Sequence, residues 1–227
     1  MTNINQKQYN LPIEILAPWA NIIVKTKIPD EVFEDLLNMY KEVMQSKWSS
    51  HGPTLVGQID EEPNIPSEIL KKHEHWISFS TQMIQKFVSA QGNTNQVGDT
   101  TEARIQDTKK LITEIKSMWF VNQKAGEYNP AHVHSNCSIS AIAYLRTPQK
   151  KIPSKKSFHD TDGKISFINN AGLDSRWSVP ILNLEPVAKD FYIFPAYQTH
   201  MVYPYTSTDQ NDLRVSISFN ATVKKEN

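Results

Sequence analysis

"LRVSISFNATV", residues 213–223, alternates without a break. Val215, Ile217, Phe219, Ala221 and Val223 fall on one side, and Arg214, Ser216, Ser218, Asn220 and Thr222 on the other. Successive side chains of an extended chain point to opposite faces, so the segment predicts a β-strand with one apolar and one polar face. Working back along the chain, "AKDFYIFPA" (188–196), "GKISFINN" (163–170), "SISAIAYL" (138–145) and "LITEIKSMWFVNQ" (111–123) have the same character. Each is short, rich in branched and aromatic residues, and bounded by Gly, Pro, Asn or Asp. Five such segments from Leu111 onward, with no helical pattern between them, predict an antiparallel sandwich or barrel.

The first half reads differently. In "IPDEVFEDLLNMYKEVMQSKW" (28–48), Pro29 and Asp30 make a helix start, and Val32, Phe33, Leu36, Leu37, Tyr40, Val43 and Met44 recur at steps of three and four. A second helix is expected over "IPSEILKKHEHWISFSTQMIQKFVSAQ" (65–91), followed by a polar loop over 92–110. The expected architecture is one domain spanning 1–227, of α+β class, with a mainly helical layer over 1–110 and a β core over 111–227. The charged stretch "PQKKIPSKKSFHDTDG" (148–163) is a loop long enough to carry binding function, although its lysines at 150, 151, 155 and 156 read first as a solvated surface.

Composition narrows the function classes. An apolar fraction of 39% with 9 Phe, 8 Tyr and 5 Trp supports a folded core, and 24 basic against 24 acidic residues gives no electrostatic reason to expect nucleic acid as the main partner. The lone Cys137 has no internal disulfide partner and no base of its own beside it, so it reads as packing in a reducing compartment. No signal-peptide pattern or membrane-length apolar run is present, which leads to the expectation of a soluble, cytoplasmic protein of bacterial or phage type.

Four of the seven histidines form two His-x-His pairs, and secondary structure separates the pairs. His73 and His75 fall in a predicted helix, where residues two apart diverge around the axis, so they read as solvated helix surface. His132 and His134, in "YNPAHVHSNCSISAIAYL" (128–145), sit where a strand is about to begin, and on an extended chain both imidazoles face one side. Two polar residues in a turn would look the same. His200, after a strand and among aromatics in "FYIFPAYQTHMVYPY" (191–205), could complete a set of three around Fe(II), Zn(II), Ni(II) or Cu(II). Arg214 opens the last strand with Ser216 two positions on. It is either buried against a bidentate carboxylate or exposed in a surface ion pair with Asp212.

With His132, His134, His200 and the "RVS" of 214–216 in this order, the chain from about Trp119 to Asn220 resembles the iron(II)- and 2-oxoglutarate-dependent oxygenases. The nearest likeness is to the prolyl-hydroxylase-like branch common in marine bacteria and phages. The resemblance implies a double-stranded β-helix, the cupin-like jelly roll, with supporting N-terminal helices. It implies Fe(II) on His132, His134 and His200, and 2-oxoglutarate gripped by Arg214, Ser216 and Tyr144, with Tyr128 a weaker candidate for the pocket wall. With O2, the implied reaction hydroxylates a C–H bond of a protein side chain or a metabolite and releases succinate and CO2. One departure stands out: the superfamily's usual third ligand is Asp or Glu, and here His134 takes that place. It leaves three accounts: His134 as ligand, a carboxylate such as Asp160 or Asp162 in its stead, or a site without iron. A three-histidine zinc hydrolase or hydratase, which leaves Arg214 and Ser216 without a task, and a metal-free binding jelly roll, in which replacing His132 or His200 would change only local packing, are the competing functions.

Overall fold

The computed structural model describes residues 12–19, 21–94, 111–153, 160–169 and 180–225. Among these residues ten strands form two antiparallel sheets. The larger has the order β1-β2-β8-β5-β10-β3, with β1 (Ile13–Trp19), β2 (Asn21–Lys27), β3 (Leu111–Gln123), β5 (Ile139–Arg146), β8 (Asp190–Pro195) and β10 (Arg214–Lys225). The smaller has the order β4-β9-β6-β7, with β4 (Asn129–His132), β6 (Ile165–Ile168), β7 (Ile181–Leu184) and β9 (His200–Val202). The two sheets are the jelly-roll core, and all five strands expected from the sequence are present.

Alternation assigns each strand's faces. Val215, Ile217, Phe219 and Ala221 of β10 join Ala141, Ala143, Phe191 and Ile193 on the outer face of the large sheet, where they pack against α1 (Asp30–Gln45) and α3 (Glu74–Thr94). Trp76, Phe79 and Met83 of α3 and Leu36, Met39 and Val43 of α1 are fully buried in this layer. Each such side chain contributes about 1.5–3 kcal/mol relative to exposure. The inner faces carry a second cluster of Ile23, Tyr144, Ile165, Phe167, Tyr192, Phe194 and Val202. β8 is buried on both faces, which is why "DFYIFP" reads as a continuous apolar run rather than an alternation.

Three expectations change. Residues 13–27 form β1 and β2, so the 1–110 layer supplies two strands besides its helices. Their alternation is short and contains no turn signal, and pairing with β8 supplies what local propensity lacks. The second helix is broken into α2 (Ser67–Leu70) and α3. Finally, His73 is not solvated surface. It is 4% exposed at the break, with Nδ1 2.7 Å from Asp35, whose other oxygen accepts the Trp76 N–H at 3.0 Å. Asp35 of α1 thus satisfies a free amide of α3's first turn. The expected loop over 92–110 falls outside the described residues from position 95, and His159, Lys155 and Lys156 lie outside them as well. No helix among the described residues is long and apolar enough to cross a membrane.

Candidate metal centre

His132 and His200 end neighbouring strands in the small sheet and are direct register partners. His134 lies two residues beyond His132, past the end of β4, where its backbone N–H donates to the Ala196 carbonyl at 2.8 Å. The chain then turns through Asn136, whose φ of 59° is one of the left-handed conformations asparagine tolerates, and enters β5. The rings converge: one ligand atom from each of the three histidines lies within 4.8 Å of the others. Among the described residues no other group of His, Cys, Asp or Glu side chains is so placed, and Asp160 and Asp162 are not part of it.

Two of the three rings have their tautomer fixed. His132 Nδ1 lies 2.7 Å from the Pro130 carbonyl, and His200 Nδ1 lies 2.9 Å from the Gln198 carbonyl. Each Nδ1 carries a proton to donate, which leaves Nε2 as a lone-pair donor to an ion. His200 is 5% exposed and packs against Phe194, with ring centroids 4.7 Å apart. Burial pushes all three imidazoles down: His132 below the usual range, His134 to about 4 with help from its neighbours His132 and His51, and His200 well below the usual value. All three are neutral at physiological pH, the form that ligates a metal.

A cavity of about 270 Å³ opens on the triad. It is lined by the three histidines, by Ile142, Ile165, Phe194 and Val202 from the inner faces, and by Ser218 and Asn220 from the polar side of β10. Residues 61–64, after α1, run antiparallel along the edge of β3 and add Glu62 to the wall.

Arg214 is 2% exposed, so the surface pair with Asp212 does not form. Asp212 instead accepts the backbone N–H groups of Gln149 and Lys150. The guanidinium donates to Gln123 Oε1 and to the carbonyls of Gly163 and Tyr203, all neutral acceptors. Gly163 holds its turn before β6 at φ +71°, a conformation that favours glycine. Ser216 is the register partner of Tyr144 on β5, and the Tyr144 hydroxyl is fully buried with no hydrogen-bond partner among the described residues. Burial raises that phenol to about 12 while the charge of Arg214 pulls the other way. Arg214, Ser216 and Tyr144 are therefore gathered as expected. They lie further along β10 and β5 than Ser218 and Ile142, and they do not themselves line the triad's cavity. Tyr128 is 40% exposed and is not in the lining. Sequence reading missed Gln123, the side chain that occupies Arg214, and Glu62, which carries no motif.

Residues 117–220, just under half of the chain, match the family model described as "Putative 2OG-Fe(II) oxygenase". Over this stretch the chain is similar to the 2OG-Fe(II) oxygenases. The proteins that model describes use Fe(II), 2-oxoglutarate and O2. Solved structures share its fold at low identity. A prolyl-4-hydroxylase from Pseudomonas putida is 14% identical with a TM-score of 0.50, covering 88% of this chain and 91% of its own. A prolyl hydroxylase from Trichoplax adhaerens, solved with a peptide fragment of hypoxia inducible factor, is 12% identical with a TM-score of 0.54 and covers 89% and 83%. The carbocyclase SnoK of nogalamycin biosynthesis is 11% identical with a TM-score of 0.53 and covers 88% and 78%. No curated protein sequence matches significantly.

The residues present fit both groups the oxygenase requires. Three neutral imidazoles, two of them with an unprotonated Nε2 and the third able to move its proton to Nδ1, are a competent donor set for Fe(II). The buried guanidinium has no carboxylate partner among the described residues, and an unpartnered hydroxyl lies near it, so the chain leaves room in its hydrogen bonding for an external carboxylate.

Proposed function

We propose that the chain hydroxylates a C–H bond of a protein side chain or small metabolite, holding Fe(II) on His132, His134 and His200 and the distal carboxylate of 2-oxoglutarate on Arg214, Tyr144 and Ser216. The observation that carries this reading is Arg214: a positive charge enclosed in the same barrel as the triad, met only by neutral acceptors. A zinc hydrolase or hydratase would use the three histidines equally well but leaves that charge and the Tyr144 hydroxyl without function.

Bound Fe(II) with 2-oxoglutarate supplies oxidative decarboxylation coupled to C–H oxidation, with succinate and CO2 as co-products. The chain's own share is positional. The Pro130 and Gln198 carbonyls keep the Nε2 atoms of His132 and His200 turned inward. Phe194, Ile165 and Val202 exclude water from the wall beside His200. Arg214 neutralises the co-substrate's far carboxylate, and Tyr144 donates the hydrogen bond its hydroxyl lacks.

The test is anaerobic titration of metal-free protein with Fe(II) and then 2-oxoglutarate, following the weak visible charge-transfer band of the chelated pair. A band in the wild type that needs at least about tenfold more 2-oxoglutarate in Arg214→Ala supports the reading. Tight zinc binding with no band would favour the hydrolase reading, and binding of neither metal would leave a barrel without redox function.

A further inference from the structure

We propose that Glu62 is the specificity residue of this oxygenase and that its primary substrate presents a cationic amine to that carboxylate; the assignment rests on the metal-site reading above. The placement follows from register. Glu61 bridges Asn122 and Asn64 bridges Trp119, with backbone bonds from Phe120 N–H to Pro63 and from Asn122 N–H to Glu61. This shared register sets Glu62 opposite Val121. On a paired strand, directly opposed residues share a face, so Glu62, Val121 and Trp119 face the same way, and all three line the triad's cavity. The segment 61–64 thus acts as an added edge strand whose inward residue is an acid.

That acid has no partner. Glu62 is 1% exposed, and neither carboxyl oxygen has a hydrogen bond or an ion pair among the described residues. A chain that encloses a carboxyl group beside a cavity and gives it no donor leaves the donor to whatever enters. Burial, with a smaller contribution from Glu127, raises this carboxyl to about 7. An incoming cation would draw it back to the charged form.

Three neighbours favour an amine over a neutral donor. The rings of Trp119 and His51 stack at 4.3 Å and give the wall an aromatic face of the kind that attracts cations. Asn220 Oδ1, buried in the same lining, is also unpartnered and accepts a second N–H. At the rim Val56 and Val133 are 52% and 51% exposed and line the cavity beside Leu55, an apolar path suited to an aliphatic stem. A volume of about 270 Å³ that also borders the triad suits a side chain or a small amine rather than a large ring system. The Trp119 indole N–H, likewise unpartnered, is left for an acceptor on the same substrate.

The experiment uses anaerobic protein loaded with Fe(II) and 2-oxoglutarate and three probes of matched length: pentylamine, 1-pentanol and pentanoate. Binding is read by calorimetry and by perturbation of the visible band. The expected result is that pentylamine binds at least about tenfold tighter than pentanol, with pentanoate weakest, and that Glu62→Gln levels the series while its band stays intact. Equal or tighter binding of the alcohol or the acid, survival of the preference in Glu62→Gln, or no amine binding to protein that shows the band would each overturn the proposal. If no band forms in the wild type, it is the metal-site reading that fails. The same titration of metal-free protein then judges Glu62 by the same outcomes, because the cavity and its carboxyl belong to the chain.

Discussion

The Nε2 atoms of His134 and His200 lie 3.3 Å apart, on rings only 11° from parallel. His200 already donates its Nδ1 proton to Gln198, so in the metal-free chain His134 supplies the proton between the two nitrogens. A metal ion held there would replace that proton and require His134 to carry its proton on Nδ1 instead.

Metal affinity should therefore be insensitive to pH over an unusually wide range. Histidines held below the usual value, His134 at about 4, stay neutral where an ordinary imidazole is protonated. Between pH 7.5 and 5.5 the dissociation constant should change less than about tenfold, then rise steeply toward pH 4. For the metal-free protein, the unfolded state binds more protons than the folded state between about 4 and 6.5, so stability increases with pH across that window and is lost as pH falls through it. Calorimetric metal titrations and urea melts at several pH values check both, with His200→Ala as a control that should weaken metal binding by about two orders of magnitude.

Gln123 occupies Arg214, the arginine proposed to hold 2-oxoglutarate. Its Oε1 accepts from both Nε and a terminal nitrogen of Arg214 across the β3–β10 pair. Gln123→Glu would place a permanent counter-charge there and should weaken 2-oxoglutarate binding by about tenfold or more without changing metal affinity. Equilibrium titration of both ligands separates the two effects.

Tyr144→Phe removes a hydroxyl that is buried and unpartnered in the ligand-free chain. Thermal stability should stay level or rise by up to about 1 kcal/mol, since no hydrogen bond is lost and a desolvated polar group disappears. Affinity for 2-oxoglutarate should fall about fivefold. A variant that is both less stable and unchanged in affinity would show that the hydroxyl serves packing instead.

Asp35→Ala should cost about 2 kcal/mol, because one carboxylate caps the Trp76 amide and holds buried His73. Metal affinity should be unchanged, since α1 and α3 pack on the outer face of the large sheet, away from the inner cavity. A denaturant melt and a metal titration on the same variant test this.

What was legible in the sequence was what local periodicity encodes. The alternation of 213–223 marked β10, and its two faces went where the pattern put them, Ile217 and Phe219 to the helical layer and Ser218 and Asn220 to the cavity. The His-x-His spacing of 132 and 134 and the position of His200 were readable because strand geometry turns alternate residues one way. β1, β2, β4, β7 and β9 were missed for the converse reason: three of them have only three or four residues, and β2 pairs with a strand more than 160 positions away and in turn carries β1. His73 was misread because a helix break, and with it burial against Asp35, comes from packing between helices and not from the residue pattern.

The sequence by itself therefore determined the strand faces, the α1 stripe and the shared facing of His132 and His134, because each depends on spacing along one segment. Only the tertiary structure decided that Arg214 is buried and held by Gln123, that the Tyr144 hydroxyl lacks a partner, and that residues 61–64 zip onto β3 and turn Glu62 into the cavity. Those facts depend on which groups distant segments bring to one place and which they leave unpaired, and desolvation of a charge is a property of that assembly rather than of any stretch of chain.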